Sequence, residues 1–280
     1  MRKKIAFIGV GNMATAIING LISNKNENSI DISDIVLFDK NPSQTEEFQK
    51  MGALTASSVE DAASKADCIM LCVKPQNFEE VLPSLAKVEN ASEKLYITIA
   101  AGIKTDAVSD AIGSAAVVRV LPNTPIFIGK GVSAICKNEQ VSDSDFMFAC
   151  GIFSLSSRVI AIDESEMNRI ISVTSSSPAY VFLLIKSMLD GAISQGLLKS
   201  EGSLGGLDQK ELIDCICDTI IGSAELMKSS IKTPDEQIKT VASKGGTTER
   251  ALSVLADYEF SKAVVLAMEK CTERADELGK

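Results

Sequence analysis

Short apolar runs alternate with polar, helix-patterned stretches through the first 165 residues: IAFIGV (5–10), IVLFD (35–39), CIMLCV (68–73), LYITIA (95–100) and AAVVRVL (115–121), followed by GVSAIC (131–136) and VIAID (159–163). Continuous apolar runs mark strands buried on both faces, and helical stretches such as SQTEEFQKMG (43–52) supply the covers of a parallel sheet. Beyond about residue 165 the strand signals stop. Helical patterns then occupy PAYVFLLIKSMLDGAISQGL (178–197), LDQKELIDCICDTIIGSAELMKSS (207–230) and a final stretch over 247–278. The chain therefore reads as an α/β domain over 1–165 followed by a helical domain over 166–280. The glycine-rich SEGSLGGLD (200–208) reads as a loop between two helices. Residues 179–197 are apolar nearly all round, which predicts enclosure on several sides and favours a homo-oligomer.

Within IAFIGVGNMATAIINGL (5–21), a strand, a glycine turn and an amphipathic helix follow one another directly. Gly9 and Gly11 let the backbone turn sharply and approach a pyrophosphate, and Ala14 lets the helix pack closely on the strand. The helix N-terminus, with Val10, Asn12 and Met13 in the turn, faces the phosphate charge. An ordinary strand-to-helix turn with small packing residues is the alternative, and the flanking strand and helix favour the dinucleotide.

At 280 residues the chain exceeds the usual length of one compact domain, and its 45% hydrophobic content can fill two cores. A net charge of −9 argues against nucleic acid or an anionic membrane surface as partner and leaves a small molecule. The start of the chain does not resemble a secretory signal, and no apolar stretch is read as long enough to cross a bilayer, so a soluble cytoplasmic protein is expected. The seven scattered cysteines form no CxxC pair and read as small core residues in a reducing compartment. The chain has no histidine, which removes histidine-based triads, histidine zinc sites and imidazole acid–base chemistry; no metal site is expected.

Five segments carry the remaining candidates. Asp39 ends the second strand, where a carboxylate accepts hydrogen bonds from the adenosine ribose and favours NAD, whereas Lys40 beside it, with Asn41 and Ser43, suits the 2′-phosphate of NADP. VKPQ (73–76) and RVLPNTP (119–125) lie at the carboxyl edge of the sheet, each with its backbone fixed by proline. Lys74 either lines the cofactor site or caps the sheet edge, and Arg119 fits a structural ion pair as well as an anion site. In SSSPAY (175–180), capping by serine explains most of the motif. In VASKGGTTERAL (241–252), flexible glycines and two hydroxyls precede a helix, which suits a carboxylate nest as well as a capped linker.

Taken together, GVGNMA (9–14), CVKPQ (72–76), AAG (100–102), RVLPNTP, SSPAY (176–180) and GGTTERAL (245–252) resemble the pyrroline-5-carboxylate reductases over essentially the whole length. The resemblance implies a Rossmann-type parallel sheet domain followed by an all-helical dimerisation domain, an interlocked dimer often assembled into a decamer, and reduction of 1-pyrroline-5-carboxylate to L-proline with NADP or NAD. It implies cofactor contacts from Gly9, Val10, Gly11, Asn12, Met13, Ala14, Asp39, Lys40, Val73, Lys74, Pro75, Ala100, Ala101 and Asn123. It places the substrate carboxylate on Ser243, Gly245, Gly246 and Thr247, and the imine nitrogen on Thr248.

Departures from the family pattern are Lys244 where proline is usual, Ser175 and Ser177 where glycine is common, and a longer 200–208 loop. Rival readings are a reductase of another cyclic imine or of a β-hydroxy acid, and a non-catalytic sensor of NAD(P)H. Only Lys186 lies near the position of a hydroxy-acid enzyme's acid–base lysine.

Overall fold

A computed structural model describes residues 3–23, 30–199 and 206–278. Eight strands form one sheet: β1 (Ile5–Ile8), β2 (Ile35–Phe38), β3 (Leu54–Thr55), β4 (Cys68–Leu71), β5 (Leu95–Thr98), β6 (Ala116–Leu121), β7 (Gly131–Lys137) and β8 (Ser157–Ala161). Their spatial order is β3-β2-β1-β4-β5-β6-β7-β8. The pairings from β3 to β6 are parallel, β7 runs antiparallel to β6, and β8 is parallel to β7. Strand order reverses at β1, which puts a crevice at the carboxyl ends of β1 and β4.

The helices are α1 (Asn12–Ser23), α2 (Glu46–Met51), α3 (Val59–Ser64), α4 (Phe78–Leu85), α5 (Thr105–Ile112), α6 (Asp143–Ser154), α7 (Met167–Val173), α8 (Ser177–Ser194), α9 (Gln209–Ser229), α10 (Pro234–Val241), α11 (Thr247–Asp257) and α12 (Phe260–Leu278). Side chains alternate across each strand. Ile5, Phe7, Cys68 and Met70 join the core with Ile17, Ile18 and Phe153, while Ala6, Ile8, Ile69 and Leu71 join the opposite core with Val81, Leu85 and Val108. Helices therefore cover both faces, as continuous apolar strands require.

The chain divides into two compact units, residues 1–178 with 269–280, and residues 179–268. Helix α7 belongs to the sheet unit, where Met167 and Ile171 pack with Leu121, Ala134 and Cys136. Among its described residues the second unit is helical apart from one bridge between Leu198 and Leu207.

The sequence reading missed β3, too short to show a pattern, and α10, whose capping box pairs Thr233 with Glu236. The final helical stretch is two helices: α11 ends at Asp257, and Glu259 takes a left-handed φ of 51° with neither glycine nor proline to announce the break. The expected enclosure of α8 is absent within the single chain, where the helix buries none of its residues. By length and composition, 164–194 is apolar enough to cross a membrane, contrary to expectation. Of the 200–208 loop, residues 200–205 lie outside the described residues.

Candidate active site

The glycine turn is built by close backbone contact. Gly9 has φ +90°, and a Cβ there would lie 3.0 Å from Val73 Cγ1 and 3.1 Å from the Cys72 carbonyl carbon, so a side chain would push β1 away from the loop after β4. The Gly9 N–H donates to the Phe38 carbonyl at 2.8 Å, and the Val10 N–H donates to Asp39 Oδ2 at 2.7 Å. At Gly11 an added Cβ would meet nothing within 4 Å, which leaves the approach to α1 open. Its first turn carries no acidic side chain, so the N-terminal dipole is left uncompensated by the helix itself. Asn12 is exposed, Met13 half-buried, and Ala14 is buried in the core, where small size lets α1 sit on the sheet.

Beside this turn lies a cavity of about 260 Å³ with Gly9, Phe38, Val59, Val73 and Val81 among its walls and Asp39, Lys40, Asn77 and Glu80 among its polar groups. Asp39 and Lys40 also line a second cavity, of about 580 Å³, on the far side of the loop after β2. An open helix start, a close-packed glycine turn and an apolar slot next to a strand-end carboxylate fit a dinucleotide. The carboxylate is already engaged: Oδ2 by Val10 and Oδ1 by the Asn41 N–H at 2.8 Å. Lys40 Nζ is 2.6 Å from Glu80 Oε2. Phe38, Val59, Asn77 and Glu80 were not foreseen; their only signal is position, Phe38 at the end of β2 and the others in or just after loops at the carboxyl edge.

Val73 lines the smaller cavity; Lys74 is exposed, its carbonyl accepting the Asn77 N–H, and Pro75 opens the short 3-10 turn 75–77. Ala100 is buried, its N–H donated to Thr98 Oγ1 at 3.2 Å, and Ala101 is half-buried. Asn123 is buried and committed: its amide oxygen accepts the Val132 N–H at 2.8 Å and its amide nitrogen donates to the Thr174 carbonyl at 3.0 Å. Arg119, 1% exposed, is a structural ion pair, with Nη1 3.5 Å from Glu164 Oε1 and Nη2 donating to Asn168 Oδ1 at 2.7 Å. Glu164 is itself held by the Thr105 N–H and hydroxyl.

Ser177 Oγ donates backwards to the Val173 carbonyl at 2.6 Å, and Ser176 Oγ lies 3.2 Å from Cys271 Sγ. Burial pushes the Cys68 and Cys72 thiols up from their ordinary value and the Cys136 thiol up to about 12, so these three are core residues and not nucleophiles. Lys186 is exposed and paired with Asp190.

In the helical unit, Gly246 opens α11 with extended φ and ψ, and a Cβ there would lie 2.6 Å from Ser243 Oγ and 3.0 Å from the Ser243 carbonyl oxygen, so a side chain would require Ser243 to shift. Gly245 has φ +73°, and its N–H donates to Glu249 Oε2 at 2.6 Å. The Gly246 N–H donates to the Ser243 carbonyl at 3.0 Å. Thr247 and Thr248 are the first two residues of the helix; Ser243 and Thr247 are exposed and Thr248 is half-buried.

A parallel sheet with a glycine turn and a nucleotide slot, followed by a helical unit with an amide-rich helix start, defines a dinucleotide-dependent oxidoreductase. Comparison with known proteins agrees. Residues 4–102 match the model described as NADP oxidoreductase coenzyme F420-dependent, and residues 164–278 match that of pyrroline-5-carboxylate reductase dimerisation. The pyrroline-5-carboxylate reductase of Escherichia coli is 32% identical over 282 residues, covering 100% of both chains, and that of Vibrio alginolyticus is 34% identical, covering 99% and 98%. The Plasmodium falciparum pyrroline carboxylate reductase, solved with NADP bound, superposes with a TM-score of 0.87 at 27% identity, covering 100% of this chain and 99% of that one. The chain belongs to the pyrroline-5-carboxylate reductase family. The dimerisation segment supports homo-oligomerisation.

Proposed function

We propose that the protein reduces 1-pyrroline-5-carboxylate to L-proline at the expense of NADPH, with NADH as an alternative donor, as the last step of proline biosynthesis in the cytoplasm. The observation that carries this reading is a carboxylate already seated on the substrate loop: Glu249 Oε2 accepts the Gly245 N–H at 2.6 Å. The amide that binds this side chain has the direction and strength to bind a substrate carboxylate in its place.

When bound, the reduced nicotinamide supplies the hydride. The chain does the rest by positioning. Gly9, Gly11 and the start of α1 hold the pyrophosphate, Asp39 orients the ribose, and Val73, Lys74, Pro75, Ala100 and Ala101 border the path towards the nicotinamide. Asn123 contributes by fixing the loop after β6, since its side chain is occupied by Val132 and Thr174. Ser243, Gly245, Gly246 and Thr247 take the carboxylate, and Thr248 Oγ1 hydrogen-bonds the imine nitrogen. A protonated imine is already electrophilic, so no strong acid is needed from a chain without histidine. The helical half, from residue 166, supplies this loop and the contacts of a dimer, with a decamer as the larger assembly.

The test is oxidation of NADPH and of NADH on addition of pyrroline-5-carboxylate, followed by absorbance. Saturable oxidation with L-proline as product is the expected result. Nucleotide binding without oxidation would overturn the reading and point to another imine or to a sensor.

A further inference from the structure

Among the residues lining the two cavities at the end of β2, Lys40 is the one cation, while Asp39, Glu46, Glu60 and Glu80 are all acidic. The Lys40 ammonium is turned towards α4, where Glu80 Oε2 holds it at 2.6 Å. Asp39 cannot play the same part, because both of its oxygens already accept backbone N–H groups.

We infer that Glu80 sets the discrimination between NADPH and NADH by competing with the 2′-phosphate for Lys40. This deepens the cofactor reading above and rests on it. A 2′-phosphate brought to the strand end carries nearly two negative charges and meets a lysine that a carboxylate already neutralises. NADH brings a neutral hydroxyl instead and is indifferent to that pairing. Both partners are solvent-exposed, at 64% and 67% of the side chain, so the pair is weak enough for a dianion to displace. Glu80 therefore moderates NADPH binding without abolishing it, and is a specificity-determining residue that does not touch the reacting atoms.

The experiment uses calorimetric titration of the full-length protein with two fragments that differ by the 2′-phosphate, 2′,5′-ADP and 5′-AMP, at low and high salt. Glu80→Gln should tighten 2′,5′-ADP by about 5- to 20-fold at low salt and much less at high salt, where charge is screened. It should leave 5′-AMP within about 2-fold of wild type. In a Lys40→Met background the same change should bring no gain, because the competed cation is gone. An unchanged ratio of the two affinities, an equal gain for both fragments, or a gain that survives Lys40→Met would each overturn the inference. Titration of NADPH and NADH by their own fluorescence is the second readout, free of tryptophan interference because the chain has none. No pyrroline is present, so failure of the proposed substrate leaves this result standing; if wild type binds neither fragment, the nucleotide site and this inference fall together.

Discussion

The Val10 N–H and the Asp39 carboxylate, 2.7 Å apart, join the glycine turn after β1 to the end of β2. Val10 is fully buried, and Asp39 is the acceptor its N–H is given. Asp39→Ala should cost about 2 kcal/mol of stability, the range for stranding a buried donor that had an ionised acceptor. It should also weaken binding of both NADH and NADPH, since the loosened turn serves both. Urea denaturation and nucleotide titration check the two halves; unchanged stability would show that the turn holds its shape without Asp39.

Thr248 is the residue on which the proposed chemistry leans most. Thr248→Ala should lower turnover by ~10- to 100-fold, in keeping with loss of one positioned hydrogen bond in the transition state, while Thr248→Ser retains most of the rate. Steady-state kinetics with pyrroline-5-carboxylate would show it. Wild-type turnover in the alanine variant would remove Thr248 from the mechanism.

Arg119 offers a comparison of two variants of one ion pair. Its guanidinium is buried and Nε has no partner, while Glu164 is 27% exposed and keeps its bonds from Thr105. Glu164→Ala leaves a buried cation with Asn168 alone and should destabilise by about 3 kcal/mol. Arg119→Met removes the buried charge together with its orphaned donor and should cost less. Thermal or urea melts of both proteins decide it, and the reverse order would mean that the pair is held by packing and not by charge.

Stability should fall in acid partly through Glu60. Its own backbone amide, then the Ser84 and Ser58 hydroxyls, hold its carboxyl below the ordinary value of 4.5. A lowered folded-state value contributes stability that is complete above about pH 4.5 and is lost as pH drops through the folded value. Glu60→Gln should therefore show a shallower fall in melting temperature from pH 5 to pH 3, measured by circular dichroism. Identical slopes for variant and wild type would rule Glu60 out.

Much of this was legible from residues 5–21 alone, because a strand buried on both faces, a glycine turn and a helix with a small residue facing the strand leave few other structures open. Strand β4 was legible for the same reason: Cys68, Ile69, Met70 and Leu71 are all buried, so no polar position interrupts the run. What stayed hidden depends on tertiary meetings. Glu80 stands in a pair of glutamates opening α4 and reads as an ordinary first-turn acid, and nothing in its spacing shows that Lys40 comes within 2.6 Å. Asn123 reads as a ligand-facing residue of a proline loop, yet folding directs its amide to Val132 and Thr174. The break at Tyr258 and Glu259 was invisible because a left-handed glutamate carries no sequence mark.

No residue of helix α8 is fully buried in its own chain, and Phe182 and Leu183 are each more than half exposed. Whatever cover a second copy gives those side chains through the dimerisation segment is withdrawn by dilution, through mass action alone. A newly made copy is unfinished until it meets another, and the waiting time shortens with every copy already present.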